Sequence, residues 1–339
     1  MPALRIGVVG CGAVAAKSHL PALRSTEGVE VTALADPQID RARELALRFG
    51  VPKAVADHRE LLDDVDALVL ALPHHLHASI GTEVLRLGKH VLMEKPLANT
   101  LEECDALIRS AAEGESLLAV AQVRRHMLAY RATREWVQSG LIGEPLSFRA
   151  EEGSIYNWPV ASDFFFRREH SGGGVLMDTG AHVLDALLWW LGDLEVVRYE
   201  DDGRGGVEAD CLVELEASSG ATGSVRLSRI RRLENRLVLV GTRATLEVDL
   251  LANRASLLPE GARTPLTGVF SRRGREEAQS TLDLFERQAT EWVHAIQREP
   301  ASIATAGEAR ETIRLISDAY AKRVARVEAW QLMDAAGDA

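Results

Sequence analysis

The stretch that most constrains this chain is a glycine turn between two apolar runs, Gly10-Cys11-Gly12-Ala13-Val14-Ala15. Before it, Leu4 to Val9 is short, apolar and β-branched, the pattern of a buried parallel strand. After it, Ala13 to Leu23 reads as a helix, and a second apolar run, Val29 to Ala35, ends in Asp36. Strand, glycine turn, helix, strand and acid in this order make a dinucleotide-binding fingerprint. Gly10 permits a tight turn off the strand, Gly12 lets a pyrophosphate approach the backbone, and Ala15 still allows close helix–strand packing. The helix start at Ala13 and Val14 offers free N–H groups and a positive dipole end to phosphates. Asp36 can accept hydrogen bonds from both ribose hydroxyls and would repel a 2′-phosphate, which favours NAD; Arg41 and Arg43 keep NADP open.

Strand and helix patterns then alternate. Asp40 to Phe49 is helical and stops at Gly50; Lys53 to Ala56 is a strand; Asp57 and Glu60 form a capping box opening a further helix. Ala67 to Leu72 is a strand ending at Pro73, Ala78 to Leu87 a helix, and His90 to Met93 a strand running into Glu94-Lys95-Pro96. A second capping box, Thr100 with Glu103, opens a helix to about Ala112, and Leu117 to Val123 is a sixth strand. Six strands with intervening helices predict an open, doubly wound parallel sheet, with ligands beyond the strands' carboxyl ends. Those ends carry Gly10, Asp36, Pro73-His74-His75, Glu94-Lys95 and Gln122 to Arg125.

After a helix at Met127 to Gln138, strand-like runs follow one another: 145–155, 195–199, 209–216, 222–228, 236–241 and 244–249. One helix, Val175 to Trp190, interrupts them, and two close the chain, Thr281 to Gln297 and Gly307 to Val327. This predicts an α/β chain with two domains, residues 1–123 and 124–339, the second built on a large, mostly antiparallel sheet. The last helices are expected to pack back near the first domain.

A net charge of −11 argues against a nucleic-acid partner. The densest basic run, Arg226 to Arg232, alternates like a strand and reads as a solvated face. Cys11, Cys104 and Cys211 are far apart and odd in number, which gives no metal spacing and no disulfide framework and suggests a reducing, cytoplasmic setting. The first strand starts too early to leave room for a signal peptide, and no apolar run approaches the ~20 residues of a membrane span.

Lys95 follows a strand directly at the edge where a nicotinamide would lie, placed to act as an acid or base or to polarise a substrate oxygen. Gly172-Gly173-Gly174 is a closely approached loop before a helix on which Asp178 and His182, four apart, share a face. A carboxylate beside an imidazole fixes its tautomer, and Asp185, one turn on, could orient His182. Tyr156, Trp158 and the run Phe164-Phe165-Phe166 suit either the apolar faces of a sugar or an aglycone, or core packing or a subunit interface, and Arg167 suits an anionic or hydroxyl-rich ligand.

These segments together resemble the Gfo/Idh/MocA family of NAD(P)-dependent oxidoreductases, which includes inositol and sugar dehydrogenases. The resemblance rests on the glycine turn with His19, Pro73 to His77, Gly88 to Leu97, Arg124-Arg125 and Gly172 to Asp185. It implies a Rossmann domain followed by an α/β domain whose open sheet forms a homodimer or homotetramer interface. By resemblance, Lys95, Asp178 and His182 are catalytic, with His182 taking the hydroxyl proton. Gly10, Gly12, Ala13, Val14, Asp36, Pro73, His74, His77, Glu94 and Lys95 meet the cofactor, and Arg124, Tyr156, Trp158, Arg167, Asp178 and His182 the substrate. The family often has asparagine where this chain has His74, which adds a titratable group near the site. The implied activity is hydride transfer between nicotinamide and a secondary alcohol or ketone of a sugar, sugar derivative or cyclitol. Two alternatives use the same residues: glycoside cleavage through transient sugar oxidation with a recycled cofactor, and a non-enzymatic NAD(P) sensor.

Overall fold

The structure is a computed structural model, and it describes residues 2–156, 163–204, 206–269 and 279–325. The first 120 residues form β1 (Leu4–Val9), α1 (Leu20–Ser25), β2 (Val29–Ala35), α2 (Ile39–Phe49), β3 (Lys53–Val55), β4 (Ala67–Leu70), α3 (His77–Arg86), β5 (His90–Met93), α4 (Leu101–Glu113) and β6 (Leu118–Val120). The expected helix after the glycine turn differs in detail. It opens as a wide π-helical turn, Ala15–His19, before α1. Pro21 lacks the N–H that a regular α-turn would need there, so the wider turn carries the chain past it. The Asp57–Glu60 capping box is present but opens a 3₁₀ helix, His58–Asp64. The Thr100–Glu103 box caps α4.

The second part contains α5 (Leu128–Gln138), β7 (Pro145–Gly153), α6 (Arg168–Ser171), α7 (Ala181–Leu191), β8 (Leu194–Asp201), β9 (Asp210–Ala217), β10 (Thr222–Ser228), β11 (Arg236–Gly241), β12 (Ala244–Asp249), β13 (Arg254–Pro259), β14 (Leu266–Val269), α8 (Thr281–Ile296), β15 (Ala304–Thr305), α9 (Ala306–Ala321) and β16 (Arg323–Ala325). Its sheet runs β14-β13-β12-β11-β7-β10-β9-β8-β16, antiparallel except where β7 meets β10 and β8 meets β16. The first sheet runs β15-β6-β5-β4-β1-β2-β3, parallel except for β15. β13 to β16 are not visible in the hydrophobic pattern. The two-residue β15 and three-residue β16 carry too few side chains to alternate, and pairing alone makes them strands.

α8 packs on α1, and α9 lies against both α4 and α7. The two sheets therefore share buried apolar structure. One cluster runs from Leu68 and Leu70 through Leu107 and Ile313 to Phe148, Leu184 and Leu246. This fixes the carboxyl ends of the parallel strands opposite α7 and β10, and a cavity lies in the cleft between them.

Candidate active site

The cavity has a volume of about 650 Å³ and is lined at one end by Gly10, Gly12, Ala13, Val14 and Asp36. Its other end is lined by Lys95, Arg124, Tyr156, Asp178, His182 and Arg229. At the nucleotide end each glycine has a distinct cause. Gly10 sits at φ +92°, and a Cβ there would lie 2.2 Å from the Ala71 carbonyl oxygen. A Cβ on Gly12 would meet no protein atom within 4 Å, so the space beside it is open for a ligand. Asp36 is buried, with Oδ2 accepting from the Cys11 N–H at 2.9 Å and Oδ1 from the Gln38 N–H at 2.8 Å. The carboxylate is thus held in place at the end of β2 with lone pairs left over. An open cradle at Gly12, a helix start and a fixed acid fit a dinucleotide.

At the other end, β5 delivers Glu94 and Lys95. Glu94 Oε1 lies 2.7 Å from His19 Nε2, and its Oε2 accepts from the Lys95 N–H. Lys95 Nζ donates to Asp178 Oδ1 at 2.6 Å and to the Asp178 carbonyl at 3.0 Å. Asp178 sits on a π-helical turn, Leu176–Gly180, that feeds α7. That turn has no local side-chain cap. Glu208, entering β9, does the work instead, accepting from the Gly174 and Leu176 N–H groups at 2.9 Å each. The triple glycine is a packing requirement: a Cβ on Gly173 would meet Tyr320 Oη at 1.9 Å, and one on Gly174 the Glu208 backbone carbonyl oxygen at 2.0 Å.

His182 Nδ1 lies 3.2 Å from Gln122 Oε1, which assigns the proton to Nδ1 and leaves Nε2 as an acceptor. Burial first, then the nearby Arg124 and Lys95, push His182 well below its ordinary pKa, so the ring is neutral at pH 7. Burial alone would raise the Asp178 carboxyl, but Lys95 and Arg229 outweigh it and hold Asp178 well below the usual carboxylate range. A neutral imidazole therefore stands next to a permanent anion bridged to a lysine, an arrangement able to accept a proton and polarise an oxygen.

Several expectations change here. Asp185 does not orient His182. It is buried and takes the fork of Arg125 at 2.7 and 2.8 Å, because a guanidinium matches a carboxylate with two parallel bonds. Arg124 lines the cavity, but its fork is taken by Glu152 at 2.6 and 2.7 Å, so it supports the wall rather than offering a free cation. Arg167 lies outside the cavity lining, exposed and paired with Asp163. His77 is fully buried between the carbonyls of Pro96 and Leu72 and does not line the cavity; its geometry is that of a brace under the Lys95 turn. His74 does line it, but burial and then the neighbouring His77 push its pKa down to about 3, so it adds no titration near neutrality. Its Nδ1–H donates to the Ser171 carbonyl at 2.9 Å. Trp158 lies outside the described residues.

Arg229 is the residue the sequence did not reveal. The run 226–232 is not simply a solvated face. β10 ends at Ser228, and the next side chain turns into the cavity, where Nη2 donates to Asp178 Oδ2 at 2.8 Å. Fifty-one positions separate the pair, and no local spacing could have signalled it.

The chain is similar to known proteins over both of its parts. Residues 4–122 match the family model described as "Oxidoreductase family, NAD-binding Rossmann fold", and residues 130–247 the "GFO/IDH/MocA C-terminal domain". A 1,5-anhydro-D-fructose reductase of Ensifer adhaerens is 32% identical over 64% of this chain and 66% of its own length. A dTDP-3,4-didehydro-2,6-dideoxy-alpha-D-glucose 3-reductase of Actinomadura kijaniata is 37% identical over 59% of this chain and 61% of its own. The same type of reductase from Saccharopolyspora spinosa is 31% identical over 73% of this chain and 74% of its own. The first two alignments thus span a little under two thirds of those relatives. Among solved structures, a 3-ketoreductase from Actinomadura kijaniata in complex with NADP and TDP-benzene superposes with a TM-score of 0.82 at 25% identity, covering 95% of this chain and 98% of that one. Levoglucosan dehydrogenase with NADH and levoglucosan shares the fold, with a TM-score of 0.85 at 21% identity over 94% of this chain and 98% of that one. Two matched family models across residues 4–247 and a relative 31% identical over 74% of its own length place the chain in the Gfo/Idh/MocA oxidoreductase family.

Proposed function

We propose that this chain is an NAD(P)-dependent dehydrogenase or ketoreductase acting on a secondary alcohol or ketone of a sugar, sugar derivative or cyclitol. The observation that carries the reading is the neutral His182, its Nε2 left as acceptor beside the Lys95–Asp178 pair in the cavity that begins at the glycine turn. Relatives named as reductases and dehydrogenases of sugars and of myo-inositol support the substrate class.

When bound, the nicotinamide supplies the hydride acceptor or donor. Gly12, Ala13, Val14 and Asp36 hold the dinucleotide, and the anionic Asp36 favours NAD over NADP. In oxidation, His182 Nε2 takes the hydroxyl proton as the carbinol carbon gives up its hydride. The Lys95 ammonium, held by Asp178, polarises the same oxygen; in reduction it steadies the carbonyl, and His182, first protonated at Nε2 from solvent, gives that proton to the oxygen and ends neutral. Asp178 stays ionised throughout and positions Lys95. Tyr156, Phe164 and Phe165 form an apolar wall for the sugar ring. The chain works as a homodimer or homotetramer through its second sheet, whose strands expose Leu146, Val197 and Leu266. A reducing cytoplasmic setting suits its three free cysteines; among the described residues no helix is long and apolar enough to cross a membrane.

The test is nicotinamide absorbance with NAD and NADP against a panel of sugars, cyclitols and their keto forms. Turnover on one member is expected, with NAD the better cofactor. Lys95→Ala should lower kcat by about 10²–10⁴-fold while cofactor binding is kept; retained turnover would remove Lys95 from the mechanism. Absence of net turnover together with NAD released on denaturation would point to a recycled cofactor instead.

A further inference from the structure

The guanidinium of Arg229 is built into the cavity wall. Its backbone carbonyl accepts from the Tyr156 N–H at 2.8 Å, and its Cζ lies 5.2 Å from the Tyr156 ring and 6.0 Å from that of Phe165. The side chain is only 10% exposed. It spends one nitrogen on Asp178, while Nε is buried without a hydrogen-bond partner among the described residues. The Tyr156 hydroxyl, on the same wall, is likewise buried without a partner. Buried donors without acceptors are costly, more so when one is cationic, and they mark a place where an acceptor belongs.

The charge pattern says which kind of acceptor. Arg124 has Glu152 to itself, and Arg125 has Asp185. Asp178 is one carboxylate shared by two cations, Lys95 and Arg229. Glu94, the remaining acid at this end, is turned to His19. Arg229 therefore shares its one carboxylate with Lys95, and its planar fork lies beside two aromatic rings with Nε unspent, a geometry that suits a carboxylate.

We propose that Arg229 and the Tyr156 hydroxyl form a substrate-anchoring pair, and that the substrate presents a carboxylate to it: a sugar acid or its keto form rather than a neutral polyol. This rests on the dehydrogenase reading and narrows its substrate class.

The test uses the full chain saturated with NADH and titration calorimetry with D-glucuronate and D-galacturonate against D-glucose and D-galactose. At least one acid should bind the wild type about tenfold or more tightly than its neutral counterpart. Arg229→Gln should bring that ratio to about one, and Arg229→Lys, which keeps the charge but not the fork, should restore part of it. Tyr156→Phe should weaken the acid severalfold and the neutral sugar less. Should Arg229→Gln fail to fold, Arg229→Lys and Tyr156→Phe still decide. No preference for either acid, or a preference that survives these substitutions, overturns the proposal. Turnover of the same compounds is measured in parallel: absence of turnover with acid binding intact would fault the dehydrogenase reading and leave the anchor standing.

Discussion

At the scale of single residues, the site fixes two charge states, a neutral imidazole and an anionic carboxylate. His182 is neutral because burial, Arg124 and Lys95 all oppose its proton. The acid-side loss of kcat/KM that a free histidine would cause near pH 6.5 should therefore be displaced to lower pH in the oxidation direction. A limb at 6.5 in that profile would show that His182 keeps its ordinary pKa. Asp178 is the converse, an anion fixed by two cations. Asp178→Asn would leave both cations facing a neutral amide and release Lys95 from its anchor, and we expect kcat to fall about 10²–10³-fold with NADH affinity little changed. Steady-state kinetics beside cofactor titration separates the two effects.

At the scale of elements, the glycines show how one residue type serves unrelated ends. Gly10 is needed by the fold: at φ +92° and pressed on Ala71, Gly10→Ala should lower stability by about 2 kcal/mol or more. Gly12 is needed by the ligand: its missing Cβ faces open space, so Gly12→Ala should change unfolding by no more than about 0.5 kcal/mol yet weaken NAD binding at least about tenfold. Denaturant melts with fluorescence titration of NADH distinguish the two. Gly174 belongs with Gly10, since a methyl group there would push the loop off Glu208 and shift the turn that carries Asp178. Both carrier helices open with a π-helical turn, at Ala15–His19 and at Leu176–Gly180; the first follows directly on the cavity-lining Gly12 to Val14, and the second carries Asp178 and Thr179 into the lining.

At the scale of the molecule, one apolar cluster joins the two sheets, and the cost of burial appears on acidification. His74 and His126 are pushed down to about 3 and His182 well below its ordinary value, in each case first by burial. The unfolded chain therefore binds more protons than the folded one below about pH 6.5. The stability these groups permit is complete above that pH and drains away as the pH falls toward 3, at up to ~1.4 kcal/mol per unit for each. His74→Asn keeps a side-chain N–H for the Ser171 carbonyl and removes one titrating ring. It should cut the stability lost between pH 6 and pH 4 by about 1–3 kcal/mol, read from urea melts at several pH values. An unchanged slope would show that His74 does not resist protonation in the folded chain.

Whatever depends on neighbours along the chain was legible before any folding. The alternation of strands and helices, the capping boxes at Asp57 and Thr100, the fingerprint turn with Asp36, and the placing of Asp178 and His182 four apart are local matters of period, cap and backbone freedom. Tertiary structure alone decided which charges meet. Asp185 went to Arg125 rather than His182, Arg124 to Glu152, and Arg229 crossed from the end of β10 to Asp178. A carboxylate has no directional memory of sequence; it pairs with the cation that packing brings within reach and shields from water. The same holds for the brief edge strands β15 and β16, which exist because a finished sheet offers them unpaired backbone groups.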